Sequence, residues 1–104
     1  MNHATAQVHF TITDDELSVS GPDELAPLTD FFETEIGMSK AVLDLVTHHV
    51  HHARTWRFTG NACTLALDGE TVTVEHLHTG ARTVLTRAEL RTLLSELRAL
   101  VAEN

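Results

Sequence analysis

Apolar and polar residues alternate near the start of the chain. Val8, Phe10 and Ile12 interleave with His9, Thr11 and Thr13, the period-two mark of a half-buried strand. Asp14-Asp15 reads as a turn, and Leu17 and Val19 continue a second strand, so residues 7–20 form a predicted hairpin. Gly21-Pro22 ends it. A first helix within 23–36 then buries Leu28, Phe31, Phe32 and Ile36, with Gly37 as its natural stop. Ser39 suits the cap of a second helix over about 39–54, whose apolar face carries Val42, Leu45, Val46, Val50 and Ala53.

The pattern then returns to period two. Trp56 and Phe58 alternate, Gly60-Asn61 can turn the chain, and Cys63, Leu65 and Leu67 alternate again. Asp68-Gly69 predicts a two-residue type I′ turn, because both central positions of that turn need positive φ. Val72 and Val74 follow, then a turn at Thr79-Gly80 and a last short strand at Thr83–Leu85. Thr86-x-x-Glu89 is a capping box before a leucine stripe at helical spacing: Leu90, Leu93, Leu94, Leu97, Leu100 and Val101. The expected fold is α+β. Antiparallel β-sheet, from the N-terminal hairpin and the β-meander, has two to three helices packed on it.

At 104 residues, with 42% hydrophobic and 21% charged, the chain suits a single domain spanning 1–104, with 1–6 expected to be disordered. No apolar run approaches the roughly 20 residues of a membrane span. No basic segment followed by an apolar stretch marks a signal peptide. The one cysteine, Cys63, has no internal partner for a disulfide. Together these predict a cytoplasmic protein.

Charge adds a sharper feature. The formal net charge is −8 and is carried by residues 1–52, where nine acids face one base, Lys40; residues 53–104 balance six acids with six arginines. Such a chain is poorly suited to direct nucleic-acid binding. It suits a basic protein partner instead. The candidate contact residues are Asp14, Asp15, Glu16, Asp23, Glu24, Asp30, Glu33 and Glu35. If the first helix buries its apolar face, Asp30 and Glu33 point outward, and reversing them to lysine should leave the fold intact. Arg87, Arg91 and Arg98 flank the leucine stripe and are expected to meet acids of the N-terminal half, within the chain or across a homodimer.

Residues 32–74 resemble the YacL family of small bacterial proteins. The resemblance rests on Phe32-Glu33-x-Glu35, then Leu43-Asp44-x-Val46 on a helix, a lone Trp56, Gly60, and the hairpin Thr64-Leu65-x-Leu67-Asp68-Gly69-Glu70-x-Val72-x-Val74, with a terminal helix following. The longer acidic insertion associated with that family before the last helix is missing here. The resemblance implies the fold and no activity.

Eight histidines is a high count, and His48, His49, His51 and His52 sit together. His48 and His52, four apart on a helix, can share a zinc or nickel ion, with Asp44 as a third ligand or an orienting acceptor. His76-Leu77-His78 is a further source of imidazoles. The chain has no metalloprotease helix motif, P-loop or nucleophile elbow. Cys63 shares the alternation of Leu65 and Leu67 and reads as a small core residue, and Trp56, a lone large aromatic opening a strand, also reads as core. The expected function is therefore non-catalytic, with no cofactor: an acidic protein-binding domain, an immunity protein or antitoxin that inhibits a basic, nuclease-like or nucleic-acid-modifying toxin. The alternative is a metal-binding or metal-sensing protein using the cluster at 48–52.

Overall fold

The alternating stretches become strands in the computed structural model, which describes residues 4–103. Strands β1 (His9–Thr13) and β2 (Glu16–Ser20) pair antiparallel around Asp14-Asp15. Both aspartates have positive φ, 54° and 62°, the left-handed pair that a type I′ turn requires. Strands β3 (Thr55–Thr59), β4 (Cys63–Asp68), β5 (Thr71–His76) and β6 (Arg82–Thr86) form an antiparallel meander in chain order. The hairpin and the meander are two separate sheets, and with the helices between and after them the fold is α+β.

The β4–β5 turn is shifted by one residue from its expected frame. Asp68 pairs with Thr71, so the two loop residues are Gly69 and Glu70 rather than Asp68 and Gly69. Positive φ occurs only at Gly69 (58°), as in a type II′ turn. The reason lies outside the hairpin. The Gly69 N–H donates to Arg54 O, and both carbonyls of the loop accept from Arg87.

Residues 23–36 are three helical pieces rather than one helix. A 3₁₀ turn, Asp23–Leu25, runs into α1 (Ala26–Asp30), with Pro27 in its first turn, where a missing N–H costs nothing. The chain then widens into a π-helical turn, Phe31–Ile36, closed by Gly37 at φ 51°, whose N–H donates to Phe32 O. The expected apolar residues Leu28, Phe31, Phe32 and Ile36 are all buried there. Their rings join the two sheets. Phe10 of β1 meets Phe32 edge-on at 5.0 Å, Phe32 meets Phe31 at 6.0 Å, and Phe31 meets Phe58 of β3 at 5.8 Å.

Helix α2 (Lys40–His52) is capped by Ser39, whose Oγ accepts the Val42 N–H. It buries Leu43, Val46 and Val50 and leaves Leu45 43% exposed, so the face expected from sequence is rolled toward Leu43. Helix α3 (Arg87–Ala102) begins with the full capping box: Glu89 N–H donates to Thr86 Oγ1 and Thr86 N–H to Glu89 Oε1. Its stripe of Leu90, Leu93, Leu94 and Leu97 is buried with the inner face of the meander, where Leu65, Leu67, Val72, Val74 and Leu85 lie. The expected disorder of residues 1–6 does not hold for 4–6. Ala4–Gln7 is a 3₁₀ turn, and the Thr5 hydroxyl donates to Glu89 Oε2. Residues 1–3 lie outside the described residues.

Arg87 is 5% exposed and makes no ion pair among the described residues. Its guanidinium donates to the carbonyls of Val50, Ala53, Arg54 and Gly69 at 2.6–2.9 Å. The expectation that it meets N-terminal acids is therefore corrected: it caps the last turn of α2, where carbonyls lack helical partners and the dipole favours a cation.

Two stability predictions follow from these contacts. Arg87→Ala leaves several buried carbonyls without donors and should cost at least about 3 kcal/mol, comparable with the roughly 2–5 kcal/mol expected for emptying the core at Leu94→Ala. Urea unfolding of the two variants measures both. Glu89 gives a pH dependence. Burial alone would raise its carboxyl, but the hydrogen bonds from Thr86 and Thr5 outweigh that and hold it below the usual carboxylate value. A depressed native pKa stabilises above the unfolded value of about 4.3 and is lost as pH falls through the native one. The stability gap between wild type and Glu89→Gln should be full above about pH 5 and shrink toward pH 3.

Candidate functional site

The acidic candidates fall into separate groups. Asp14, Asp15 and Glu16 are exposed at the tip of the β1–β2 hairpin. Asp23 and Glu24 are exposed beyond Ser20, at its other end. Strand residues 17–20 separate the two patches, roughly 13 Å at strand rise. None of these five carboxylates meets a cation among the described residues.

Of the three remaining candidates Glu33 is exposed, as expected from sequence, but each of the three carboxylates also has a partner within the fold. Glu33 turns back and accepts the Val19 N–H, on the side of β2 away from β1. Glu35 is half-buried, and its carboxylate accepts the N–H groups of Asn61, Ala62 and Cys63 at 2.8–3.0 Å. It thereby ties the π-helical turn to the β3–β4 loop. Asp30 is half-buried with Oδ2 3.7 Å from His76 Nε2. Asp30 and Glu33 are thus parts of the fold, and reversing them would test stability as much as binding. Glu33 and Glu35 bond to neutral amides, so their charge stays uncompensated.

The histidines cluster as the spacing predicted. His48 and His52 have ring centroids 4.8 Å apart, and His51 lies 6.4 Å from His52. His49 departs from the group: it stacks flat on Trp56 at 4.1 Å, while its Nδ1 lies 2.9 Å from Leu45 O. Asp44 does not turn toward the pair. Its Oδ1 accepts from Arg98 Nη2 at 2.7 Å. His76 and His78 lie beside each other, and His76 is taken up with Asp30. No three His, Cys, Asp or Glu side chains are placed to hold a metal among the described residues. The residues present therefore do not fit a metal centre built on Asp44, His48 and His52.

Cys63 is fully buried, with Sγ 3.8 Å from Pro27 O. Burial first, then the charges of Glu35 and Asp30, push its thiol up to about 11 against an opposing bond from Thr34. At neutral pH it stays a thiol, which is the weak form for nucleophilic attack. Arg98 meets Asp44 as expected of the arginine side, whereas Arg91 makes no ion pair among the described residues.

No known protein family, curated protein or solved structure matches this chain.

The YacL resemblance therefore rests on the residues quoted for it alone. No helix among the described residues is long and apolar enough to cross a membrane.

Sequence reasoning missed the role of Glu35, although one signal was present. Gly60 lies where a Cβ would overlap the Glu35 carboxylate. A carboxylate at the end of a flexible chain can usually move aside. Here moving it breaks three hydrogen bonds to a turn. Gly60→Ala should therefore destabilise by about 1–3 kcal/mol. In a double-mutant cycle with Glu35→Ala, the two losses should sum to clearly more than the loss in the double variant. Additive losses would mean that Gly60 is needed for its backbone and not for the carboxylate.

Proposed function

We propose that the protein is a non-catalytic acidic domain that binds a basic protein, with an immunity protein or antitoxin against a nuclease-like or nucleic-acid-modifying toxin as the specific form. One observation carries this reading: Asp14, Asp15, Glu16, Asp23, Glu24, Glu33 and Glu35 meet no cation among the described residues, while the ion pairs there are Asp30–His76, Glu75–Arg82 and Asp44–Arg98. Carboxylates that the fold leaves unneutralised keep a negative field that attracts a cationic partner and speeds its approach. The hairpin tip supports it further. Left-handed turn positions most readily take glycine or asparagine, yet here two aspartates occupy them at φ 54° and 62°. That places two charges on a short, fixed turn with little side-chain entropy to lose on docking.

An inhibitor of this kind needs a firm scaffold and matched charge rather than a reactive group. The buried, raised Cys63 thiol is consistent with that.

The test neutralises charge without breaking the turn. Asparagine tolerates the left-handed region as aspartate does, so Asp14→Asn/Asp15→Asn/Glu16→Gln should fold normally. Asp23→Asn/Glu24→Gln removes the second patch. The partner is the basic protein captured from source cells or encoded beside the gene, and its association is followed by surface plasmon resonance. Association with the wild type should slow as salt rises, because the Debye length is only about 8 Å at physiological ionic strength. The hairpin variant should associate more slowly at low salt, with a dissociation rate close to wild type. A partner indifferent to salt and to both variants would leave the charge as a solubility feature.

A further inference from the structure

The last two helices enclose a groove that the acidic surface does not explain. Helices α2 and α3 run antiparallel, since Asp44 near the start of α2 meets Arg98 late in α3, while Val50 and Ala53 at the end of α2 meet Arg87 at the start of α3. Between these two closures lies a cavity of about 450 Å³. Thr47 and His51 line it from α2; Arg91, Ser95 and Arg98 line it from α3, with Leu94 beneath. At about 100° per residue, Arg91, Ser95 and Arg98 fall within about 60° of one another on α3, whereas Glu96 sits at least about 100° from each of them. The carboxylate that also borders the cavity is thus on its flank.

His51 and Arg91 both also line a second cavity of about 280 Å³, which continues past the end of α2. They form the divide between the two spaces. Among the described residues Arg91 has no acid paired with it, in a chain with fifteen acids and seven bases. The Thr47 hydroxyl, on the facing wall, is closed off from solvent with no hydrogen-bond partner. A threonine in a helix has two open χ1 positions, so this hydroxyl has a second orientation available. A guanidinium, an imidazole and hydroxyls on two walls gather donors there, with the Glu96 carboxylate on the flank and Glu70 in the adjoining cavity.

We propose that this groove binds a phosphate group, held between Arg91 and His51, with Ser95 and Thr47 as further donors. The donors come from two helices on opposite sides. A tetrahedral oxyanion can meet both walls at once, whereas a planar carboxylate matches a single guanidinium fork. Arg98 is partly committed to Asp44 and closes the groove at one end.

The experiment is a titration of the whole protein with inorganic phosphate, followed by amide chemical shifts, with chloride holding ionic strength constant. Saturable shifts are expected at His51, Arg91 and Ser95, with a dissociation constant on the order of 1–10 mM. Arg91→Gln, at an exposed position, should fold as wild type and bind roughly fivefold to tenfold more weakly. Ser95→Ala should weaken binding less. Acetate should bind more weakly than phosphate at the same residues. The proposal is overturned if the shifts do not saturate, if they centre elsewhere, if acetate binds as tightly, or if Arg91→Gln binds phosphate unchanged. None of these outcomes depends on the acidic hairpin or its partner.

Discussion

The guanidinium of Arg87 donates to carbonyls from the last turn of α2, from the link into β3 and from the β4–β5 turn, while its own backbone N–H donates to Glu70 O. Three segments distant in sequence, 50–54, 69–70 and the start of α3, meet at this one buried side chain. It sets where α2 ends, which two residues form the β4–β5 loop, and where α3 begins relative to both. A lysine could not replace it, because one ammonium lacks a planar fork that reaches several carbonyls at once. The antiparallel course of α2 against α3, and hence the groove between them, follows from this anchor at one end and Arg98–Asp44 at the other.

Glu35 does the same with the opposite sign. It accepts three amide N–H groups of the β3–β4 loop, as Arg87 donates to carbonyls of the β4–β5 region. Neither ion neutralises the other. The fold thus uses charged side chains to satisfy backbone groups that the ladders and helices leave over. One consequence is that charge asymmetry survives folding. The N-terminal half keeps its negative charge at the surface although two of its acids serve the scaffold, and Arg91 in the C-terminal half stays unpaired.

What the sequence made legible was local. The capping box at Thr86 and Glu89, the Ser39 cap and every strand alternation have partners within a few residues, so pattern alone finds them. The misjudged features have distant causes. The β4–β5 turn is shifted because Arg87 holds both loop carbonyls. Helix α2 is rolled toward Leu43, which is buried with Val46 and Val50 while Leu45 is left in solvent. The acidic ridge was expected from a 3.6-residue period. The partners of its carboxylates are distant in sequence: Glu33 bonds to β2 and Glu35 to the β3–β4 loop. For Arg87, position in a leucine-striped helix suggested a surface cation, because nothing nearby in sequence reveals the end of a helix more than thirty residues earlier.

The π turn also joins the sheets. The hairpin shares no ladder with the meander, so its position depends on side-chain packing: Phe10 on Phe32, Phe32 on Phe31, and Phe31 on Phe58. The rings continue from Phe58 to Trp56 and from Trp56 to His49 on α2. The same short segment that buries these phenylalanines anchors β2 through Glu33 and the meander through Glu35. Shape and charge at the hairpin are therefore coupled at one place. The tip of the hairpin is free of that coupling, since Asp14 and Asp15 lie beyond the last ladder pair, Thr13 with Glu16, and these two and Glu16 pair with no cation among the described residues. A surface of this kind can change its charge without disturbing the core, as a recognition surface must if it is to be tuned separately from stability.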